Sequence, residues 1–206
     1  MVIGAWLSYF LLHSLLASLA AKRLVARRWP GLMPAYRLFF NILAMLLLIP
    51  PLWLTYRWDG PWLWRWEGPW WWLANGLALL ALALFWWSLR WYDSGEFIGL
   101  RQWRRQERRV EDQERFHVSP LHRWVRHPWY SLGLVLVWTR DMNLALLWTA
   151  ILITLYFVVG SRLEERKLMT YHGRAYARYR ERVPGLIPRP WRHLSREEAE
   201  ALEREA

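Results

Sequence analysis

The sequence of 206 residues contains no cysteine. A disulfide, a thiolate nucleophile and a cysteine-ligated metal site are therefore excluded. No glycine-rich loop of the Rossmann type is visible, so a soluble domain of that class is not expected. His117, His122 and His127 recur at every fifth position, which turns them onto different faces of a helix, and Pro120 interrupts the run. We therefore expect no metal site.

Long apolar runs separated by clusters of charge dominate what is present. Hydrophobic residues make up 55% of the chain although 22% of residues are charged, and there are 19 tryptophans. This pattern predicts an all-α integral membrane protein, because tryptophan collects at the membrane interface and spans need about 20 apolar residues. The net charge of +11 lies in the connections between apolar runs. Nucleic-acid binding is therefore not expected.

The apolar runs predict five membrane spans. The first lacks the basic start and small-residue cleavage site of a signal peptide, so we expect it to be retained. Pro50 and Pro51 should break or kink the second span near its far end. Arg140, Asp141 and Asn143 interrupt the last run and would be costly at mid-bilayer, so we divide that run into a hairpin of two spans. The predicted spans are residues 1–20, 38–54, 70–91, 129–139 and 144–160.

The basic residues predict the orientation of these spans. Connections one and three and the tail carry five, nine and eleven basic residues, whereas the two remaining loops carry two and one. By the positive-inside rule the N-terminus lies outside and the C-terminus in the cytoplasm. The tryptophans around residues 58–72 are interpreted as an anchor in the headgroups, in preference to a lid over an entrance.

Three further helices are predicted outside the spans. Residues 101–116 are interpreted as an amphipathic surface helix, and the last span should continue as an amphipathic helix to about Arg182. Ser195 and Glu198 have the spacing of a capping box and should open a short terminal helix. We predict one membrane domain over residues 1–190 and a polar tail over residues 191–206.

Two polar clusters flank the predicted hairpin. Closing the hairpin should bring Arg126, His127 and Tyr130 toward Glu164 and Glu165, at the cytoplasmic face. Each cluster also has a plain structural explanation. Proline is favoured at the first turn of a helix, an arginine at a boundary can be an interface anchor, and the glutamates can form ion pairs with neighbouring arginines.

In order and spacing, these residues resemble the isoprenylcysteine carboxyl methyltransferase superfamily of membrane enzymes. His13 and Ser14 in the first span, with the stretch from Gly99 to Gln102, resemble its methanethiol S-methyltransferase and NnrU-like branch. One departure is that Pro120 to His122 stands where the family often has Gly-x-Tyr. The residues that carry the resemblance to the superfamily are Arg126, His127, Pro128, Tyr130, Glu164, Glu165, Leu168, Gly173, Tyr176, Tyr179, Val183, Pro184, Ile187 and Pro188.

The resemblance implies a methyltransferase of the bacterial inner membrane that uses S-adenosylmethionine. Its methyl acceptor would be small or lipophilic, most plausibly a thiol, and could enter from the lipid bilayer. The glutamates suit the ribose hydroxyls or the ammonium, and Tyr130 suits a cation–π contact with the sulfonium. Arg126 and His122 are the candidates for catalysis, as a cation or base beside the thiol. The candidates for cofactor binding are His117, His127, Pro128, Tyr130, Glu164, Glu165 and Tyr176.

Two other functions remain open from the sequence. Membrane sterol reductases resemble this superfamily and use a nicotinamide cofactor, although they are generally longer. An NnrU-like protein could instead support another process through partners, without catalysis. The oligomeric state is not determined by the sequence.

Overall fold

The computed structural model describes residues 1–108, 110 and 116–205. The described residues are mostly helical, with one short two-stranded ribbon formed by β1, Trp62–Trp64, and β2, Met142–Asn143. The helices are α1 Val2–Ala17, α2 Leu19–Arg28, α3 Met33–Tyr56, α4 Gly68–Ser88, α5 Ser94–Ile98, α6 Leu100–Arg104, α7 Pro128–Trp138, α8 Leu144–Arg182 and α9 Arg196–Glu205.

An all-α membrane protein is confirmed. Three helical stretches, Pro30–Tyr56, Gly68–Trp91 and Leu144–Arg182, are long and apolar enough to cross a bilayer. The pair α1 and α2 would make a fourth span, bent by 55° at Ser18. At 1.5 Å per residue, the 11 residues of α7 reach about 16 Å, which is half of a bilayer core. The count of five spans therefore stays a prediction.

Pro50 and Pro51 do not end α3. The helix continues through both prolines to Tyr56, so of the predicted break or kink near its far end, the break is wrong. The hydroxyl of Thr55 donates to the carbonyl of Pro51 at 2.7 Å. The same hydroxyl, with that of Thr149, accepts from the indole N–H of the buried Trp6. Polar contacts of this kind join helices in an apolar environment, where each polar group needs a partner.

The chain forms two compact units. The first contains Met1–Leu63, Tyr92–Asp112 and Met142–Leu152, and the second contains Trp64–Trp91, Gln113–Asp141 and Ile153–Ala206. Within the first unit, Gly99 lies against the backbone of α3, where a Cβ would come within 2.6 Å of the Leu38 nitrogen. The amide of Asn41 donates to the carbonyls of Phe97 and Ile98. These contacts explain the glycine that opens the stretch ending at Gln102.

Only the first part of the predicted surface helix over residues 101–116 can be compared with the structure. Helix α6 covers Leu100–Arg104 and ends at Arg105. Arg109 and residues 111–115 lie outside the described residues.

The predicted turn of the hairpin and the long final helix are both observed. The turn follows α7, and Asn143 accepts a hydrogen bond from the Leu146 nitrogen at the start of α8. Within the second unit, the Trp138 indole donates to Thr154 across the hairpin at 2.9 Å. Helix α8 runs to Arg182 but is interrupted at Gly173, where φ is +46°. Residues with a Cβ avoid that conformation, so glycine is the residue expected there.

The tail residues pack against other residues of the second unit, to which they belong. The predicted capping box is present, because the Ser195 hydroxyl accepts from the Glu198 nitrogen while the Glu198 carboxylate accepts from the Ser195 nitrogen. Ala199 and Leu202 of α9 are buried in a core cluster. The other members of that cluster are Phe116, Val118, Tyr176, Tyr179, Val183 and Leu194.

Candidate functional site

The site begins where a polar stretch enters α7. Pro128 is buried at the first helical position, where its missing N–H costs no hydrogen bond. The two residues before it instead use their backbone N–H groups outside the helix. Arg126 donates to the Pro184 carbonyl at 2.8 Å, and His127 donates to the Gly185 carbonyl at 3.2 Å. The turn after α8 is therefore fixed against the start of α7.

Hydrogen bonds to other groups of the protein use most of the N–H donors of the Arg126 side chain. Its Nε and Nη2 donate to one carboxylate oxygen of Glu165 at 2.9 and 2.7 Å. Its Nη1 donates to the carbonyls of Arg180, at 3.0 Å, and Val183. Both side chains of the Arg126–Glu165 pair are only 12% exposed. A shielded pair with this many hydrogen bonds orders the chain around it.

His127 lies between the two glutamates. Its Nε2 is 3.1 Å from Glu165 Oε1, and its Nδ1 is 3.5 Å from Glu164 Oε2. Burial opposes the charged form of His127, but hydrogen bonds to Glu164 and Glu165 outweigh burial and raise its pKa. The ring is therefore biased toward the imidazolium form, with an N–H directed at each carboxylate.

The two adjacent glutamates are in different environments. Glu165 is buried and already accepts from Arg126 and His127. Glu164 is 49% exposed at its side chain and has one ion-pair contact, to His127. Adjacent residues on a helix point in different directions. One carboxylate is therefore part of the structure, whereas the other is accessible to a ligand.

Tyr130 stacks with two rings. His127 stacks on it with ring centroids 5.5 Å apart, and Phe157 stacks with centroids 4.6 Å apart, both within 10° of parallel. These two stacked rings leave less of the Tyr130 ring for the expected cation–π contact with a sulfonium. Its ring instead joins α7 to α8 beside Glu164.

His122 is uncharged at neutral pH. Burial, with the nearby His127, lowers the pKa of His122 to about 4. Its Nδ1 is 2.7 Å from the Ser119 hydroxyl, and its backbone carbonyl accepts from the Tyr179 hydroxyl. His122 therefore cannot supply positive charge beside a thiol, although its neutral ring can accept a proton weakly.

Tyr176 and His117, the remaining predicted site residues, are in contrasting positions. Tyr176 is only 1% exposed, and its hydroxyl has no hydrogen-bond partner among the residues that the structure describes. His117 has a half-exposed side chain and pairs with Glu203 at 3.0 Å, on the terminal helix. The structure thus gathers Arg126, His127, Tyr130, Glu164 and Glu165 into one cluster, which we call the site cluster, and His117 makes its contact elsewhere.

Sequence reasoning missed the contribution of the C-terminal residues to this region. The carbonyls of Arg180, Val183, Pro184 and Gly185 carry no signal in the sequence, because every residue has a carbonyl. The packing of helix α9 did have a signal in the sequence, because Ala199 and Leu202 are three residues apart and form an apolar stripe. Among the described residues, no group of three or more His, Asp or Glu side chains is arranged to hold a metal ion.

Two relatives align with most of the chain. This chain is 30% identical over 187 residues to the methanethiol S-methyltransferase of a Pseudomonas species (strain GM41). That alignment covers 86% of this chain and 68% of the Pseudomonas protein. The chain is 31% identical over 179 residues to methanethiol S-methyltransferase 2 of Bradyrhizobium diazoefficiens, with the same coverage of 86% and 68%. Both alignments extend far beyond the site cluster.

A third similarity covers about half of the chain. The methanethiol S-methyltransferase of Mycobacterium tuberculosis is 38% identical over 104 residues, which is 48% of this chain and 41% of that protein. No family model matches the chain. No solved structure matches it either.

The Arg126–Glu165 pair predicts unequal effects of two matched substitutions on stability. Glu165→Gln leaves a shielded guanidinium without its carboxylate and should lower the free energy of unfolding by about 3 kcal/mol. Glu164→Gln removes one half-exposed contact and should cost less than about 1 kcal/mol. Denaturant unfolding in detergent measures both values. Equal losses in the two variants would contradict the separate roles of the glutamates.

The raised pKa of His127 predicts a pH dependence of stability. Protonation is favoured in the folded state, so this stabilisation is fully present below the ordinary histidine pKa of about 6.5 and is lost as pH rises through the higher folded value. The difference in unfolding midpoint between the native chain and His127→Gln should therefore shrink from pH 6 to pH 9. A difference that grows with pH would show that the neutral form of His127, and not the imidazolium, stabilises the folded state.

Proposed function

We propose that this chain, which belongs to the methanethiol S-methyltransferase family, is a membrane enzyme that methylates a small thiol with S-adenosylmethionine as the donor. Bound S-adenosylmethionine supplies a methyl group on a sulfonium sulfur, and its transfer to methanethiol gives dimethyl sulfide, S-adenosylhomocysteine and a proton. The observation that carries the proposal is an accessible carboxylate, Glu164, held beside a pair that is already satisfied.

The residues present fit the cofactor. The amino-acid head of S-adenosylmethionine carries an ammonium, and its ribose carries two hydroxyls, all of which donate to a carboxylate. Glu164 is half-exposed and can accept from either group. The Tyr176 hydroxyl is buried without a partner, which is costly for a protein unless a ligand satisfies it. A donor of this kind suits the carboxylate of the same head group.

Arg126 is assigned a positioning role in this account. Its guanidinium holds Glu165 and the turn after α8, and its charge is neutralised by Glu165. Removal of Arg126 would therefore disturb the whole site cluster. His127 joins the same network and fixes the direction of Glu164. We propose that neither residue touches the methyl acceptor.

The reactive form of the acceptor is its thiolate. An alkyl thiol such as methanethiol is a weaker acid than the cysteine side chain, whose pKa is about 8.5, so only a small fraction is thiolate at pH 7. His122 has a pKa of about 4 and holds a proton too weakly to maintain a thiolate. Rate enhancement would then come from alignment of the sulfur with the methyl group and from exclusion of water. His122 is left as a weak acceptor for the thiol proton.

The arrangement of the chain in the membrane suits a thiol that partitions into lipid. The charge bias of the connections puts the N-terminus outside and the C-terminus in the cytoplasm. The site cluster lies where α7 begins and where α8 leaves its apolar part, so it would face the cytoplasm at membrane level. A soluble cofactor can reach this face, and an apolar acceptor can arrive from the bilayer.

The alternative functions have no comparable support. The relatives named above are all methanethiol S-methyltransferases, and none is a reductase or a non-enzymatic protein. A nicotinamide-dependent reductase remains distinguishable because it would bind a different cofactor. A protein that acts only through partners would bind neither cofactor.

Turnover by the purified chain tests the proposal directly. With S-adenosylmethionine and methanethiol, we expect dimethyl sulfide in the headspace by gas chromatography. The value of kcat/KM for the thiol should rise about tenfold per pH unit below the thiol pKa, because only the thiolate reacts. Glu164→Gln should reduce kcat/KM for the cofactor at least about a hundredfold by removing a charged contact.

The control for this assay is Glu67→Gln, which changes an exposed acidic residue far along the chain from the site cluster. Its turnover should equal that of the native chain. A folded native protein that gives no product with methanethiol, and none with longer alkyl thiols, would overturn the proposed function.

A further inference from the structure

The polar stretch that leads into α7 is paired along its length with the C-terminal residues. His127 pairs with Gly185 and Arg126 with Pro184, and further from α7 the partners come from later in the chain. Residues 116–125 are called the pre-site segment here, and residues 191–205 are called the strap. The two run in opposite directions, so the last residues of the chain lie beside the first residues of the pre-site segment.

The first part of the strap exchanges two hydrogen bonds with Arg123, one between backbone groups and one from the Arg123 side chain. The Leu194 nitrogen donates to the Arg123 carbonyl at 3.0 Å, and Arg123 Nε donates to the Leu194 carbonyl at 3.0 Å. Beside this contact, the rings of Trp124 and His193 stack with centroids 4.4 Å apart and planes 11° from parallel. These contacts fix the end of the pre-site segment that is nearest the site cluster.

Glu203 fixes the other end of the pre-site segment. One of its carboxylate oxygens accepts from the Val118 backbone nitrogen at 2.6 Å and lies 3.0 Å from His117 Nδ1. Its side chain is 25% exposed, so water competes only partly for this oxygen. A charged acceptor for a backbone N–H is stronger than a neutral one.

The residues held by Glu203 lead directly to His122. Ser119 follows Val118, is 2% exposed and places its hydroxyl 2.7 Å from His122 Nδ1. On the other side, Tyr179 donates to the His122 carbonyl at 2.7 Å. Movement of Val118 would therefore move Ser119 and disturb the orientation of His122.

Other charges of α9 are placed differently. Glu205 pairs with Arg178, and Glu198 pairs with Arg182, with all four side chains at least 42% exposed. Pairs exposed to this degree contribute little. Neither touches the pre-site segment. Among the described residues of α9, Glu203 is thus the acidic residue that contacts that segment.

We propose that Glu203 is a positioning residue for the cofactor site. The strap, which includes α9, would order the pre-site segment, and this segment leads through Arg123 into Arg126 and the site cluster. This inference rests on the proposed function, since the ligand whose site is ordered is S-adenosylmethionine. The terminal helix then has a role in ligand affinity that its polar composition alone does not suggest.

The test compares three variants of the full chain. Glu203→Ala removes both contacts, Glu203→Gln keeps an oxygen for the Val118 N–H, and Glu205→Ala removes an exposed acidic residue of the same helix. Each is studied by hydrogen exchange of residues 116–127 without ligand and by calorimetric titration with S-adenosylmethionine. Thermal unfolding establishes that each variant is folded.

Glu203→Ala should accelerate exchange in residues 116–127 and raise Kd for S-adenosylmethionine about tenfold, as expected for one lost hydrogen bond to a charged group. Glu203→Gln should recover most of the affinity, and Glu205→Ala should match the native chain. A contact with only a structural role would lower the unfolding midpoint of Glu203→Ala without changing Kd, and that result overturns the inference. Unchanged exchange also overturns it.

The native chain separates this inference from the function on which it rests. If the native chain binds S-adenosylmethionine and Glu203→Ala binds equally well, the positioning role is wrong and the proposed function stands. If the folded native chain does not bind S-adenosylmethionine at all, the proposed function and the inference both fail.

Discussion

The shielded contact between Arg126 and Glu165 is the interaction on which the site depends. It joins the residue that precedes α7 to the part of α8 that follows its apolar run, and so it closes the hairpin at one end. The same guanidinium holds the carbonyls of Arg180 and Val183. A charge this poorly exposed to water is tolerated only with full hydrogen bonding, which the sequence provides from three separate places in the chain.

The pairing of Arg126 with Glu165 leaves the two adjacent glutamates in different chemical situations. Glu165 neutralises Arg126 and also accepts from His127, both at Oε1, and its side chain is only 12% exposed to a ligand. Glu164 remains half-exposed, with its direction fixed by His127. Under the proposed function, one carboxylate builds the site and the next one would face the cofactor. Substitution of both glutamates together would mix a loss of stability with a loss of binding.

Much of the fold could be predicted from the sequence because membrane helices follow simple rules. Apolar length located the spanning helices, and the cost of Arg140 and Asp141 in lipid located the turn of the hairpin. The continuous α3 could not be predicted from Pro50 and Pro51 alone. Helices in membranes accommodate proline when neighbouring groups satisfy the carbonyls that it frees four residues earlier, which are here those of Leu46 and Leu47.

The site was predictable as a set of residues but not as a set of contacts. Closing the predicted hairpin brings Arg126 and His127 near the glutamates, and the structure has these residues in contact. Which glutamate pairs with Arg126 depends on the rotation of α8, which adjacent residues of the same type do not reveal. The role of His122 likewise depends on burial, since an exposed histidine would have a pKa near 6.5. Glu203 and Val118 are 85 residues apart in the chain, so no local sequence pattern predicts the hydrogen bond between them.

Calorimetric titration of S-adenosylmethionine into the native chain, Glu164→Gln and Glu165→Gln is the most direct test of the central claim. The account predicts saturable binding to the native chain and at least about hundredfold weaker binding to Glu164→Gln, although that variant unfolds at nearly the native midpoint. It predicts that Glu165→Gln, studied at a temperature where it is folded, retains measurable binding despite its lower stability. Binding by Glu164→Gln with native affinity would contradict the assignment of Glu164 as the ligand carboxylate.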